Sequence, residues 1–597
     1  MRSFLSDTSG QQKILRVLNA TLVLCALGAC ALFVLLIGWP LSSQKEWMLH
    51  VLTRIVLGVF VLQEIVRLLI NPHRMQHLRE RKLESALAVL VLLESLFSHH
   101  VDGVISGWIP DAKPGTIALF VLAFSQLTLI GLICLRGLRR IPAIASRNLT
   151  PGGALILSFA LIITAGMLLL KMPRATLDGI SWIDALFTST SAVCVTGLTV
   201  LDTSQAFTQE GQLIILGLVQ VGGLGIMTLT YFFAHFLTGG VSFRNRIALQ
   251  DLLSEENLGQ IGMVLGIIVG FTFSFELAGA AAIYWSVDHV PGVGTVDRLF
   301  FAGFHSVMSF CNAGFSTVPD GLANTVLRGN VGLITAVMLL VSAGGIGFPV
   351  VKNLWQVAVA VARRALRLRV AAPPRLTINS RVVLVASLCL TVGGAVFIFF
   401  SEYVFAGSDT GGFPSWLAAL FHSVTARSGG FNITDTRLHA PATIVILLFL
   451  MFIGGSPAST AGGVKTSTLA VAVLALRRVL LGRAEIEAFG RRVNDETANR
   501  ALAVMLLAGA FFTLVLVVLC MLHPELSTMD MAFESISAIS TTGLTRGVAP
   551  LLGGAGKCVM VLAMFVGRIG VLMVLLAIMP RRPQAGFRLP EGHIVIT

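Results

Sequence analysis

Four short stretches of this chain end in a glycine followed by an apolar residue. They are Ser191-Ala192-Val193-Cys194-Val195-Thr196-Gly197-Leu198, Met308-Ser309-Phe310-Cys311-Asn312-Ala313-Gly314-Phe315, Ala426-Arg427-Ser428-Gly429-Gly430-Phe431 and Ala538-Ile539-Ser540-Thr541-Thr542-Gly543-Leu544. The chemistry they offer lies in the main chain. A dehydrated cation needs its water oxygens replaced, and backbone carbonyls do so without adding fixed charge. Aiming successive carbonyls at one axis requires a residue that accepts positive φ, which glycine does at no steric cost. One glycine in each of four equivalent places is what a four-walled cation filter needs. No stretch carries an acidic residue, which argues against a divalent-selective site. A single shared glycine position per stretch predicts few ion sites and loose discrimination among monovalent cations. The bland alternative, glycines that merely let membrane helices approach, explains one such stretch better than four.

These stretches need elements to hold them. Each follows an apolar segment too short to cross a bilayer, such as Trp182–Val193 or Leu299–Phe310. Each also lies between two flanking apolar runs: Leu155–Leu170 and Leu213–Phe236, Met263–Trp285 and Val331–Leu354, Val382–Phe400 and Thr443–Ile453, Ala501–Leu522 and Cys558–Met579. Non-helical backbone at membrane depth is tolerated only where it lines a cavity or is buried in protein. The spacing therefore predicts helix, half-length helix, re-entrant loop, helix, four times over. Residues repeat as well as hydropathy. Phe304-His305-Ser306-Val307 recurs as Phe421-His422-Ser423-Val424. Phe187, Phe304 and Phe533 each lie ten residues before their glycine, and Phe421 lies nine before Gly430, so the third loop is one residue shorter. The second long run of each unit carries a glycine cluster: Gly222-Gly223-Leu224-Gly225, Gly344-Gly345-Ile346-Gly347, Gly454-Gly455-Ser456-Pro457 and Gly567-Arg568-Ile569-Gly570.

Composition agrees. Of 597 residues, 55% are hydrophobic and 12% charged, with a mean hydropathy of +0.85; soluble proteins carry about 25% charged residues. A soluble globule is excluded. The first apolar run, Val17–Trp39, has no cleavage-type exit and reads as a retained helix. Eight cysteines are scattered without CxxC spacing, so neither a disulfide framework nor a zinc site is expected. The net charge of +13 sits in loops: His73 to Lys82, Arg136 to Arg140, Arg363 to Arg381, Arg477 to Arg500 and Arg581 to Arg588. That is the positive-inside pattern of a membrane protein, not a nucleic-acid surface. It predicts a multi-pass protein of the plasma (inner) membrane with both termini cytoplasmic. No HExxH, GxSxG or paired-Asp motif suggests an enzyme. Gly553-Gly554-Ala555-Gly556-Lys557 imitates a phosphate loop but lacks the following Ser or Thr.

The expected fold is therefore all-α and polytopic: four pseudo-symmetric helix–pore loop–helix repeats around one ion pore, preceded by four extra transmembrane helices. The extra helices are Val17–Trp39, Trp47–Ile70, Leu83–Phe97 and Thr116–Leu135. The domains fall at 1–150 (accessory), 151–240, 241–360, 361–485 and 486–597 (repeats one to four, the last with the C-terminal tail). The accessory region invites comparison with a voltage sensor, with Glu64 and Glu94 as countercharges. The helix Thr116–Leu135 has no arginine at every third position, however, and Arg136, Arg139 and Arg140 read as a stop-transfer flank.

From Leu155 onward the residues resemble a known family. The stretches Thr188 to Thr203, Phe304 to Ser316, Phe421 to Asn432 and, most specifically, Gly454 to Thr468 (GGSPASTAGGVKTST) are similar to the membrane subunits of the Ktr/Trk/HKT superfamily of potassium transporters, nearest the TrkH-like KtrB branch. The tail Leu589–Thr597 is similar too; residues 1–150 lie outside the resemblance. It implies a potassium filter at Val195-Thr196-Gly197, Asn312-Ala313-Gly314, Ser428-Gly429-Gly430 and Thr541-Thr542-Gly543. It also implies an intramembrane gate at Gly454 to Gly463, including Gly454, Gly455, Ser456, Ser459, Thr460, Gly462 and Gly463, held by Arg568 through backbone or hydroxyl acceptors such as Ser459 and Thr460. The composition of that loop suits movement unaided, since Gly, Ser, Ala and Pro interrupt one inner helix while the others read as more continuous. A proline-broken helix and a snorkelling Arg568 are the structural alternatives. Potassium is the implied transported ion, with sodium second and no nucleotide on this chain. The implied partners are membrane lipid, a second copy and a cytoplasmic RCK-type nucleotide-binding regulatory subunit, KtrA/TrkA-like. The basic linkers Arg363–Arg381 and Arg477–Arg500 fit docking and membrane-surface charge equally. Glu276 reads as a structural hydrogen-bond acceptor and Arg427 as a loop anchor. A sodium- or proton-coupled symporter is the alternative mode.

Overall fold

The computed structural model describes residues 8–40, 42–70, 151–238, 261–287, 295–366, 375–408 and 413–578, with isolated positions between 85 and 92. The expected helix Thr116–Leu135, most of Leu83–Phe97, the basic runs His73 to Lys82, Arg136 to Arg140 and Arg581 to Arg588, Glu94 and the tail from Leu589 lie outside the described residues.

α1 (Thr8–Gly38) and α2 (Ser43–Ile70) form a hairpin in which Leu22, Ala26 and Ala29 pack on Leu57 and Phe60. The remaining elements fall into four units. The first is α3 (Pro151–Leu170), α4 (Trp182–Val193) and α5 (Gln209–Thr238); the second is α6 (Ile261–Val287), α7 (Thr295–Cys311), α8 (Val331–Ile346) and α9 (Phe348–Ala365). The third is α10 (Ile378–Ile398, continued by a π-helical Phe399–Phe405), α11 (Ser415–Thr425), α12 (Pro441–Phe452) and α13 (Thr466–Leu480). A β1–β2 hairpin (Ile486–Ala488, Arg491–Val493) leads to the fourth: α14 (Asp495–Leu522), α15 (Thr528–Ile539), α16 (Gly554–Ile569) and α17 (Val571–Ile578). Among the described residues four helices are long and apolar enough to cross a membrane, or five if the α8–α9 pair, bent by 102°, counts as one.

The short helices α4, α7, α11 and α15 are the most buried elements. Their phenylalanines Phe187, Phe304, Phe421 and Phe533 are all within 1% of full burial. In three units a serine ties the short helix to the preceding long one. Ser189 donates to the Ile163 carbonyl (2.7 Å), Ser306 to Glu276 (2.6 Å) and Ser423 to Thr391 (2.8 Å). Three residues after each accepting carbonyl stands a glycine, Gly166, Gly279 or Gly394, where a Cβ would strike that serine. Close approach of this kind, rather than water exclusion, is what packs helices in lipid.

The expectation of continuous inner helices outside the third unit is corrected. The run Val331–Leu354 breaks at Gly347 (φ 91°), and Cys558–Met579 breaks at Gly570 (φ 94°). Both conformations are ones that only glycine adopts without strain. Only α5 runs unbroken through its glycine cluster.

Candidate functional site: a glycine ring and the loop beneath it

The short helices end in a recurring turn. In the first, Val195 N–H donates to the Ala192 carbonyl (3.0 Å) and Thr196 N–H to Ser191 (2.7 Å). Asn312 and Ala313 make the same pair to Ser309 and Met308 (3.2 and 2.8 Å), and Thr541 and Thr542 to Ala538 and Ser537 (3.1 and 2.8 Å). This six-to-one and five-to-two pairing is a Schellman motif, whose left-handed position usually holds glycine. Here it holds Val195 (φ 54°), Asn312 (φ 63°) and Thr541 (φ 48°). The third loop, one residue shorter, sends both Gly429 and Gly430 N–H to the Thr425 carbonyl (2.7 and 3.3 Å) and places Ser428 at φ 81°. A left-handed, β-branched residue is a strained outlier; the sequence names these residues in the tripeptides but calls for positive φ only at the glycine two positions later. The signal was the equivalence of Val195, Asn312, Ser428 and Thr541.

Gly197, Gly314, Gly430 and Gly543 follow, again with positive φ. A Cβ on Gly197 would strike the Ala313 carbonyl, one on Gly314 the Gly430 backbone, one on Gly430 the Thr542 carbonyl, and one on Gly543 the Thr196 carbonyl. The four strands are thus neighbours in cyclic order and meet through backbone alone. All twelve residues of the four tripeptides are brought together, and none except Gly314 exposes even a tenth of its surface. With its amide nitrogen facing the two acceptors, Asn312 bonds back to the Ser309 and Val341 carbonyls (2.9 and 3.2 Å). The Thr196 and Thr541 hydroxyls are buried without a hydrogen-bond partner.

On one side the ring opens into a cavity of about 940 Å³, lined by the four glycines and by residues such as Asp202, Asp320 and Arg437. In the second, third and fourth units the strand leaving the glycine is tethered by the residue just before the helix serine. His305 Nε2 meets Ser316 Oγ (2.9 Å) and His422 Nε2 meets Thr434 Oγ1 (3.1 Å). Glu534 Oε1 accepts from the Thr545 hydroxyl and from the Arg546 and Val548 N–H groups (3.0 and 3.2 Å). On the rim, the Arg437 guanidinium bonded to Asp435 holds that carboxyl below the usual carboxylate range.

On the other side lies the loop between α12 and α13. Its ends are drawn together, with Val464 N–H on the Phe452 carbonyl (3.1 Å) and Thr466 N–H on Gly455 (3.0 Å). Breaking α8 at Gly347 frees main-chain groups that a continuous helix would pair internally, and the loop takes them up. Ser456 N–H donates to Gly345 (3.0 Å) and Thr460 N–H to Gly344 (3.3 Å), while Phe348 N–H donates to Ala458 (3.1 Å). The Thr460 hydroxyl donates to the Phe310 carbonyl at the end of α7 (3.1 Å). Arg568, 6% exposed, donates to the Thr460 carbonyl and to Gly222 (3.5 Å). Of the backbone and hydroxyl acceptors expected at Ser459 and Thr460, the one used is the Thr460 carbonyl, while the Ser459 hydroxyl turns inward to Ser456 (2.6 Å). Lys465, which sequence reading left without a role, donates to the Ala461 carbonyl (2.7 Å). The first glycine of the cluster has a uniform purpose in three units. A Cβ on Gly222, Gly344 or Gly567 would meet the carbonyl of Val193, Phe310 or Ile539, each two residues before the left-handed position.

Behind the ring, Gln220 donates to Glu276 (3.1 Å), with Cys311 Sγ 3.7 Å from Gln220 Oε1. Arg427 donates to Thr391 Oγ1 (2.6 Å), pointing back into α10.

Buried half-length helices, a backbone ring between them and apolar helices long enough to cross a bilayer define a multi-pass membrane protein. The TrkH family, described as cation transport protein, matches residues 157–588. The chain is 34% identical over 458 residues to the potassium/sodium uptake protein NtpJ of Enterococcus hirae, covering 75% of this chain and 98% of the relative. It is 34% identical over 448 residues to the Ktr system potassium uptake protein B of Bacillus subtilis, covering 74% and 96%. The crystal structure of the potassium transporter TrkH from Vibrio parahaemolyticus superposes with a TM-score of 0.58 at 16% identity, over 88% of this chain and 98% of that one. This chain belongs to the TrkH/Ktr family of cation transport proteins, not to a family of enzymes.

Proposed function

We propose that this chain carries potassium into the cell through a pore made by its four units, with Val195–Gly197, Asn312–Gly314, Ser428–Gly430 and Thr541–Gly543 as the selectivity filter. The observation that carries the reading is the ring itself. Four strands meet in cyclic order with no room for a Cβ at any of the four glycines, so main chain alone, with its peptide oxygens, meets there. Carbonyls replace a cation's hydration shell without binding it too tightly to leave. The cavity on one side is the entrance. The Gly454–Gly463 loop, hydrogen-bonded beneath the ring, is the gate, and Arg568 is its latch. The names of the relatives support potassium as the cargo.

The chain works in the plasma membrane with both termini in the cytoplasm, as a dimer. A separate regulatory chain supplies nucleotide sensing, in keeping with relatives named as protein B of a Ktr system. Because one relative is named for both potassium and sodium, flux measured with and without a sodium gradient belongs in the test. The decisive experiment is rescue of potassium-limited growth in an uptake-deficient strain, with Gly314→Ser as control. Rescue by the unaltered chain and failure or loss of discrimination in the variant are expected. Equal rescue by both removes the filter assignment.

A further inference from the structure

Ser428 makes one contact that distinguishes it from its three counterparts. Its hydroxyl accepts a hydrogen bond from Gly462 N–H in the loop (3.0 Å) and donates to the Thr541 carbonyl in the fourth strand (3.0 Å), with the Ser540 carbonyl at 3.4 Å. Val195 has no hydroxyl, the Asn312 amide turns back to Ser309 and Val341, and Thr541 Oγ1 has no hydrogen-bond partner. The loop also presses on the fourth strand at this point, since a Cβ on Gly462 would strike Thr541 Oγ1 and the Ser540 carbonyl.

We propose that the Ser428 hydroxyl is a positioning residue that couples the loop to the ring: with the loop seated, the Thr541 carbonyl is held by Ser428 and withheld from a cation. The proposal rests on the transport reading above. A serine hydroxyl has one hydrogen and two lone pairs. While Gly462 N–H occupies a lone pair, the hydrogen is directed at the fourth strand. When the loop leaves, the hydroxyl is free to turn and the Thr541 carbonyl becomes available to the ion. Linkage then runs both ways. Seating the loop weakens cation binding at the Thr541 carbonyl, and a bound cation favours release of the loop.

Two measurements on the full chain test this. The first is potassium flux into liposomes against potassium concentration, for Arg568→Ala in the wild-type and Ser428→Ala backgrounds. With the hydroxyl present, unlatching the loop should raise flux and lower the half-saturating potassium concentration by about fivefold, the effect of one net hydrogen bond. Without it, flux should rise with half-saturation unmoved. An equal shift in both backgrounds overturns the coupling. The second is amide hydrogen exchange over residues 454–464 in detergent, which does not depend on transport. Ser428→Ala and Ser428→Gly should speed exchange at Gly462 and spare Ser456 and Thr460. The glycine variant suits the positive φ of this position, so it separates loss of the hydroxyl from misfolding. Unchanged exchange at Gly462 in both variants overturns the proposal, whereas a wild-type chain that passes no potassium but shows the expected exchange overturns the transport reading alone.

Discussion

Val195 and Thr541 hold a backbone conformation that costs β-branched residues about 1–3 kcal/mol. They persist because the pair of main-chain hydrogen bonds that closes each turn onto its helix over-determines it. The ring glycines face a harder limit. At Gly314 a serine Cβ would lie about 3.0 Å from Gly430 backbone atoms, closer than such atoms sit in practice. Gly314→Ser should therefore fold but discriminate poorly between potassium and sodium, which competition by sodium in a flux assay would reveal. The tether at Glu534 sets a second prediction. Alanine there would orphan one hydroxyl and two N–H groups, at about 1–3 kcal/mol for each one left without water. A large drop in thermal midpoint is expected, together with altered selectivity; a stable, selective variant would remove the tether's role. For Arg568→Ala, the expected outcome is raised basal flux, and unchanged flux at normal expression would argue against a latch. That this arginine would face the loop was legible in the sequence. Backbone and hydroxyl acceptors at Ser459 and Thr460 were legible too, but the choice of the Thr460 carbonyl among them was not, because it depends on Ser459 folding inward and the Thr460 hydroxyl reaching Phe310.

Among the elements, α4 was legible to the residue: Trp182–Val193 is both the apolar segment in the sequence and the helix. Its bounds follow from local chemistry, with Ser181 capping the start through Asp184 N–H (3.1 Å). The breaks in α8–α9 and α16–α17 were not legible. The glycine clusters look alike in all four units, yet α5 stays helical through Gly225 while the chain turns at Gly347 and Gly570. The difference is tertiary. At Gly347 the loop supplies partners for the groups that a break would strand, at Ser456, Ala458 and Thr460. Gly347→Ala should favour a straighter α8–α9 and deprive the loop of its dock. Raised basal flux with faster hydrogen exchange at Ser456 is expected; a variant that exchanges and conducts as before would show that the bend does not hold the loop.

At the scale of the molecule, the hairpin α1–α2 meets the four-unit body through Arg174. Its backbone N–H donates to Gly38 (3.1 Å), and its guanidinium reaches the Leu36 carbonyl (3.1 Å), Glu46 (3.3 Å) and Glu210 (3.2 Å). The side chain is 32% exposed, so each ion pair contributes less than about 1 kcal/mol. Arg174→Met should expose the 38–43 turn to protease while leaving potassium flux unchanged. A matching loss of flux would show that the hairpin takes part in conduction rather than accompanying it. This contact was invisible in the sequence, where Arg174 is one basic residue among many and its partners lie 36 to 138 positions away.

A rim built of peptide groups offers no side chains to exchange, and at its glycines any added atom collides with a neighbouring strand. On the transport reading proposed above, a graded change in which ion passes is made from behind, at the spokes: the imidazoles of His305 and His422 and the carboxylate of Glu534. Those spokes differ in size, charge and reach, so the aperture is gauged by unlike struts around like walls. Swapping one strut for another is where a chain of this shape can acquire a new ionic preference without being rebuilt.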